Sequence, residues 1–311
     1  MKAPSRVITG FTDSTPLLMA PNELRARADE EGFLFFKSFL PKDVLLELRG
    51  QILEIVDRYG WLKNGTERMD GIGDLEAIAR DDSRDPKWKY IGVGEKAYRD
   101  VQHLELFHAL QHHPRLIALY EKLFRAGVIP HPRAIARVLL PAPSLAPTPP
   151  HQDYIYIQGT HTFWTCWFPL GDCPVELGGL SLLRGSHREK VLDVSKALGA
   201  GGSESHLCGL DYAWVQDNYE CGDIVTFPSH MVHKALPNQL RDRIRLSCDY
   251  RFQSIEEEID PSSLQPHIGS TTWEEIYRDW KSEKLKYYWK SNSLKSSVWD
   301  PSLLTSKEKI C

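Results

Sequence analysis

A chain of 311 residues, 41% hydrophobic and 26% charged, is long enough to bury a substantial core and has the composition of a globular protein. Its formal net charge of -4 leaves no basic excess to draw nucleic acid or an anionic membrane by bulk electrostatics, so neither is expected as a partner. No apolar run approaches the roughly 18 residues of a membrane span, the opening MKAPSRVITGFTDSTPLLMAPNE lacks a secretion signal, and the 6 cysteines form no CxxC pair; together these predict a cytoplasmic protein with reduced thiols, and they leave oligomeric state unread.

The first third reads helical. In PKDVLLELRGQILEIVDRYG, Pro41 suits a first turn, Val44, Leu45, Leu48, Ile52, Ile55 and Val56 share one side, and Gly60 is the stop. Residues 61 to 95 are polar and broken by Gly and Pro, which predicts a loop with a short helix, of the kind that covers a site. Helical spacing returns from about 97 to 125. His108 and His112 stand one turn apart there, but no zincin-type glutamate accompanies them, so they are read as solvated or capping residues.

From residue 133 the texture changes. The runs RAIARVLL, DYIYIQG, TFWTCWFPL, GGLSLLRGS, GDIVTFPS and RIRLSCDYRFQ, separated by Pro, Gly and Asp turns, predict short strands of a sandwich or barrel in an α+β chain. Residues 189 to 221, Gly-rich at the centre, read as an insertion beside the barrel mouth. Trp273, Ile276, Tyr277 and Trp280 lie at helical spacing and predict a packed amphipathic tail helix. The expected organisation is one domain over 1 to 311: a helical scaffold over about 20–130, a β core over about 131–253 and a helical extension over 254–311.

Three His-x-acid tripeptides are candidates for metal binding, and chance alone supplies about one His-x-Asp in such a chain. His103 and Glu105 fall in helical periodicity, where i and i+2 point about 200° apart and cannot share an ion. His187 and Glu189 follow a Gly-Ser turn signal and read as structural. His151 and Asp153 head a predicted strand, where i and i+2 share a face and both donors can reach one metal. A third ligand must come from a distant strand, and GDIVTFPSHMVHKALPNQLRDRIRLS offers His230 and His233.

Here the chain resembles the phytanoyl-CoA dioxygenase family. The resemblance runs over roughly residues 30 to 253 and includes EEGFLFFKSFL, the segment Gly179 to His187, and Gly222-Asp223 followed by a β run, His233 and Pro237-Asn238. In the family pattern the ligand histidine stands eleven after that glycine and five before that asparagine; His233 meets both spacings and His230 neither, which makes His230 a turn or supporting residue. Arg184 replaces a usual proline, and Ala235 stands where several members carry a serine that contacts the cosubstrate. The resemblance implies a double-stranded β-helix (jelly-roll, cupin-like) core, with Trp167 beside the cosubstrate.

Two imidazoles and a carboxylate on one face form the facial triad of non-haem Fe(II) oxygenases, leaving three positions for 2-oxoglutarate and O2. The far carboxylate of 2-oxoglutarate needs a fixed cation, and a guanidinium supplies two matched donors. Arg243 and Arg245, ten and twelve residues after His233, are the candidates; Ser247 could join Arg245 on that carboxylate, yet matching Ser247 to the family's strand serine points to Arg243, so both stand. A Ser/Asp/Arg face opposite Ile244, Leu246, Cys248 and Tyr250 fits a polar interior. The expected activity is hydroxylation of a small organic metabolite with release of succinate and CO2, since related halogenases have a small residue where Asp153 stands. Tyr154 and Tyr156, the loops 61–95 and 189–221, and the aromatic tail are candidate substrate contacts. The alternatives are a non-catalytic jelly-roll binding protein and a cupin-type enzyme independent of 2-oxoglutarate.

Overall fold

The computed structural model of the chain describes residues 3–81, 92–141, 146–267, 269 and 271–308. It opens with strand β1 (Val7–Thr9), helix α1 (Pro21–Glu31), β2 (Leu34–Phe36) and α2 (Lys42–Arg58). In α2 the predicted stripe holds: Leu45, Leu48, Ile52, Ile55 and Val56 are all buried. The polar stretch that follows contains α3 (Leu75–Arg80), whose Asp74 accepts the backbone N–H groups of Glu76 and Ala77; residues 82–91 of the predicted loop lie outside the described residues. Then come α4 (Glu95–Gln102), α5 (Glu105–Ala109) and α6 (Pro114–Phe124), the last started by proline at its first turn.

The second part is made of strands: β3 (Val128–Pro130), β4 (Ile135–Leu139), β5 (Trp164–Pro169), β6 (Leu180–Arg184), the hairpin β7 (Val194–Lys196) and β8 (Ser203–Ser205), β9 (Ala213–Gln216), β10 (Ile224–Pro228), β11 (His233–Ala235) and β12 (Arg245–Ser254). Two sheets result. One runs β1-β9-β6-β11; the other runs β2-β10-β5-β12-β3, with β4 also paired to β12. Pairing is antiparallel except where β1 joins β9.

The pleat of β12 sorts its side chains between two environments. Leu246, Cys248, Tyr250 and Phe252 pack with Leu45, Leu48, Val101, Leu116 and Tyr120 of the helices in one apolar cluster. On the other side, Phe35, Trp167, Val225 and Phe227 of the six-stranded sheet meet Leu180, Leu182 and Val215 of the four-stranded one. The sheets therefore face each other, and the helices cover one of them from outside.

Several expectations are corrected. Tyr154–Ile157 is a short helix, α7, not a strand: Asp153 is already in the right-handed helical region, and Ile157 N–H returns to the Asp153 carbonyl. Ile155 and Ile157 are both buried, so the apolar run is satisfied without sheet pairing, and its β propensity is overridden. In the tail, α8 (Trp273–Ile276) is a single turn closed by a Thr272–Glu275 capping box. Trp273, Ile276, Tyr277 and Trp280 are buried together with Ile129 and Trp289, but beyond Ile276 the chain follows its partners: Trp280 Nε1 donates to the His103 carbonyl, and the Lys281 and Ser282 N–H groups donate to Glu105. The stretch 189–221 is not wholly an insertion, because β9 is an inner strand of its sheet. His108 is buried rather than solvated, its Nε2 donating to the Gln102 carbonyl. Cys166, Cys173, Cys221 and Cys248 are free and buried, whereas Cys208 is in a disulfide; scattered spacing carries no information on which thiols a fold brings together. Among the described residues, no helix is long and apolar enough to cross a membrane.

Candidate metal centre and cosubstrate pocket

His151 and His233 come from segments joined by an isolated antiparallel bridge, in which each residue's N–H donates to the other's carbonyl at 3.0 Å. That bridge sets the two imidazoles side by side, their ring centroids 4.2 Å apart. Two residues on, the start of α7 turns Asp153 back toward them. Its Oδ1 lies 3.5 Å from His151 Nε2 and 3.8 Å from His233 Nε2, and the donor atoms of the three residues all fall within 4.8 Å of one another. Donors about 2.1 Å from one ion at right angles would stand about 3 Å apart, so the two gaps to Asp153 are about 0.5 and 0.8 Å wider than a loaded face requires.

The hydrogen bonds around these side chains fit a metal. His151 Nδ1–H donates to the Pro149 carbonyl at 2.8 Å and His233 Nδ1–H to the Met231 carbonyl at 3.0 Å, which leaves both Nε2 lone pairs facing the carboxylate. Burial, then the neighbouring His151, holds the His233 imidazole down at about 4, so it is neutral at ordinary pH as a ligand must be. Burial would raise the Asp153 carboxyl; the Arg251 guanidinium leads the influences that overcome it and hold it well below the usual range. The other oxygen of Asp153, Oδ2, accepts from Thr165 Oγ1 at 2.5 Å and from Arg251 Nη2 at 3.3 Å.

A pocket opens on this face. Its wall includes Trp167, Leu180, Phe227 and Ala235, together with Thr148, Arg137, Arg245, Asp249 and Arg251. Arg245 is only 3% exposed; its Nη1 donates to Ser247 Oγ at 2.9 Å, its guanidinium carbon lies 5.9 Å from the centre of the Trp167 ring, and its Nε has no hydrogen-bond partner among the described residues. Arg243 is elsewhere. It precedes β12, bridges to Ile72, and reaches the Asp70 carbonyl from an exposed position. Arg243 therefore shares no strand face with Ser247, because the strand begins at Arg245.

The remaining candidates are distributed as follows. Tyr154 stacks on His161, with ring centroids 4.0 Å apart, and Tyr156 packs edge-on against His151 while its hydroxyl points to the Ser203 carbonyl; neither lines the pocket. His230 sits with His161, its Nε2 2.8 Å from His161 Nδ1. His187 caps a turn against the Asp29 carbonyl. Sequence reasoning did not single out Arg137, Thr165, Asp249 or Arg251. The polar face of β12 was the available signal for the last two, since Arg245, Ser247, Asp249 and Arg251 alternate along it.

Residues 28–245 match the profile of phytanoyl-CoA dioxygenase. The chain is 28% identical over 282 residues to the 1-deoxypentalenic acid 11-beta-hydroxylase of Streptomyces arenae, a match covering 86% of this chain and 92% of that one. Among solved structures it resembles the epimerase SnoN in complex with Fe3+, alpha ketoglutarate and nogalamycin RO (TM-score 0.53, 19% identity, 82% and 92% of the two chains). It also resembles apo EctD from S. alaskensis (TM-score 0.51, 14% identity, 88% and 89% of the two chains). At these identities the two structures bear on the fold alone. The profile match extends over most of the chain and takes in both segments of the three-donor cluster: the chain belongs to the phytanoyl-CoA dioxygenase family of iron- and 2-oxoglutarate-dependent oxygenases.

Proposed function

We propose that this enzyme hydroxylates an unactivated C–H bond of a small organic metabolite, releasing succinate and CO2, with His151, Asp153 and His233 holding Fe(II) and Arg245 with Ser247 receiving the far carboxylate of 2-oxoglutarate. The observation that carries the reading is one pocket containing both a buried three-donor face and a buried guanidinium with an unused N–H. The facing sheets around it are read as a double-stranded β-helix. The hydroxylase name of the Streptomyces relative supports C–H hydroxylation of a small molecule.

Bound on the three-donor face, Fe(II) would supply O2 activation with three positions left for oxygen ligands. The protein's own part is orientation and exclusion of water. The carbonyls of Pro149 and Met231 fix the imidazole tautomers, and Thr165 and Arg251 occupy Oδ2 of Asp153 so that Oδ1 is left to face the metal. Arg245 keeps its charge on a rigid strand, and its donation to Ser247 leaves the serine hydroxyl hydrogen free for the same carboxylate. Trp167, Leu180 and Phe227 keep the interior apolar around these polar groups. A carboxylate at position 153 leaves no room for a halide in its place, which favours hydroxylation over halogenation.

The test is titration of 2-oxoglutarate into anaerobic Fe(II)-loaded protein, followed by the visible charge-transfer absorption of the chelate. Losing a charge-assisted hydrogen bond worth about 1.5–3 kcal/mol should raise the apparent Kd of Arg245→Ala by roughly 10- to 100-fold. Arg243→Ala should stay near the wild type. An unchanged Kd in Arg245→Ala, or no absorption in the wild type, would refute the assignment.

A further inference from the structure

Arg251 carries more hydrogen-bonding capacity than the metal face uses. It is 4% exposed and lines the pocket; Nη2 meets Asp153, yet Nε and Nη1 are buried with no hydrogen-bond partner among the described residues. A buried donor left unpaired on a full charge is costly, so a ligand that accepts from it recovers free energy on binding.

Charge inventory points to the sign and size of that ligand. Three guanidinium groups in the pocket wall (Arg137, Arg245 and Arg251) face two carboxylates, Asp153 and Asp249. Arg137 is committed to Asp249 through a 2.9 Å contact from Nε to Oδ2. A ferrous ion and a dianionic 2-oxoglutarate cancel each other, so the loaded pocket retains one positive charge. Around Arg251 the field stays positive: Arg133, whose Nε is also buried without a hydrogen-bond partner among the described residues, is held below its usual value first by burial and then by the Arg251 charge, with Asp260 opposing. His131 and His267 stand on the same side, both kept neutral chiefly by burial. Along β12, Arg251 is six residues from Arg245, about 20 Å of extended strand, so the two guanidiniums are rooted at opposite ends of the pocket wall.

We propose that Arg251 is a substrate-binding residue and that the substrate is a carboxylic acid carrying one negative charge, its carboxylate received by the unpaired Nη1 while Nη2 steadies Asp153. This rests on the oxygenase reading above, in which Arg245 is occupied by 2-oxoglutarate. A metabolite bound this way is oriented by its acid group, with its hydrocarbon body left beside the metal face.

A rigid probe pair tests it: 1-adamantanecarboxylate and its neutral isostere 1-adamantanecarboxamide, titrated by calorimetry into anaerobic protein saturated with Fe(II) and 2-oxoglutarate. The carboxylate should bind the wild type at least about tenfold more tightly than the amide. Arg251→Gln should abolish that preference, and Arg245→Gln should preserve it. Equal binding of the two probes by the wild type, or a preference that survives in Arg251→Gln, overturns the proposal. So does a loss of 2-oxoglutarate affinity in Arg251→Gln with the probe preference intact, since the unpaired donor would then serve the cosubstrate. Should Arg251→Gln fail to fold, Arg251→Lys replaces it: a point charge with one donor edge fewer should cut the preference at least about threefold, and an unchanged preference overturns the proposal. A charge-transfer band without probe preference counts against this inference alone; no band in the wild type counts against the oxygenase reading itself.

Discussion

Thr165 and Arg251 approach one oxygen of Asp153 from β5 and β12, while the imidazoles face its other oxygen. Such partners orient a ligand that they do not replace, and losing one typically costs about 10- to 100-fold in metal affinity or activity. Thr165→Val keeps the shape and removes the hydroxyl. It should weaken Fe(II) or Mn(II) binding by about tenfold while leaving the fold's thermal stability close to that of the wild type; unchanged metal affinity would assign the hydroxyl a purely structural task. At this scale the sequence was legible where a residue type is rare and its spacing demanding. His151, Asp153 and His233 could be named because few side chains bind metal, and Arg245 was one of two candidates. Thr165 could not be named, since a threonine within TFWTCWFPL is ordinary strand composition and only the fold brings it to Asp153. Which of Arg243 and Arg245 enters the pocket depended on where a strand starts, which alternation alone does not reveal.

At the scale of elements, the turn after α1 ties the helical part to the metal face. Gly32 closes that helix with φ at +78°, and its N–H returns to the Ala28 carbonyl. A Cβ there would stand 2.1 Å from His187 Nδ1 and 2.4 Å from Met231 Cε, while the Met231 carbonyl accepts the Nδ1–H of His233. Gly32→Ala therefore combines left-handed strain with a collision and should lower the unfolding free energy by about 2 kcal/mol or more, measurable in urea. A neutral result would mean that His187 swings away freely. Helix α2 and most strands were readable, because a 3.6 or 2.0 period survives whatever packs against it. The helix at Tyr154–Ile157 and the irregular path after Ile276 were not, since in both places aromatic rings are buried on several sides and local propensity yields to partners distant in sequence.

The molecule as a whole carries buried histidines outside the metal face, and these make its stability depend on acid. Burial holds His108 and His131 at about 3 and His112 at about 4, against an ordinary value of 6.5. Between those folded values and 6.5 the unfolded chain binds protons that the folded chain refuses, so each group's penalty is absent above 6.5 and grows as pH falls, by about 1.4 kcal/mol per pH unit. Unfolding free energies between pH 6.5 and 5 should accordingly fall with acid, and His108→Gln or His131→Gln should each reduce the slope by about that amount. A slope identical to that of the wild type would show these imidazoles to be protonated in place.

Strand β12 gives this architecture a further property. Its residues alternate between a polar set, Arg245, Ser247, Asp249 and Arg251, and an apolar set, Leu246, Cys248, Tyr250 and Phe252, that packs against the helices. Adding or deleting one residue there would exchange the two sets wholesale, burying charges under the helices and lining the reaction chamber with hydrocarbon. Insertions and deletions are thereby excluded from this rod, and variation in what the enzyme accepts is left to single-residue replacements along it and to the connections at its ends.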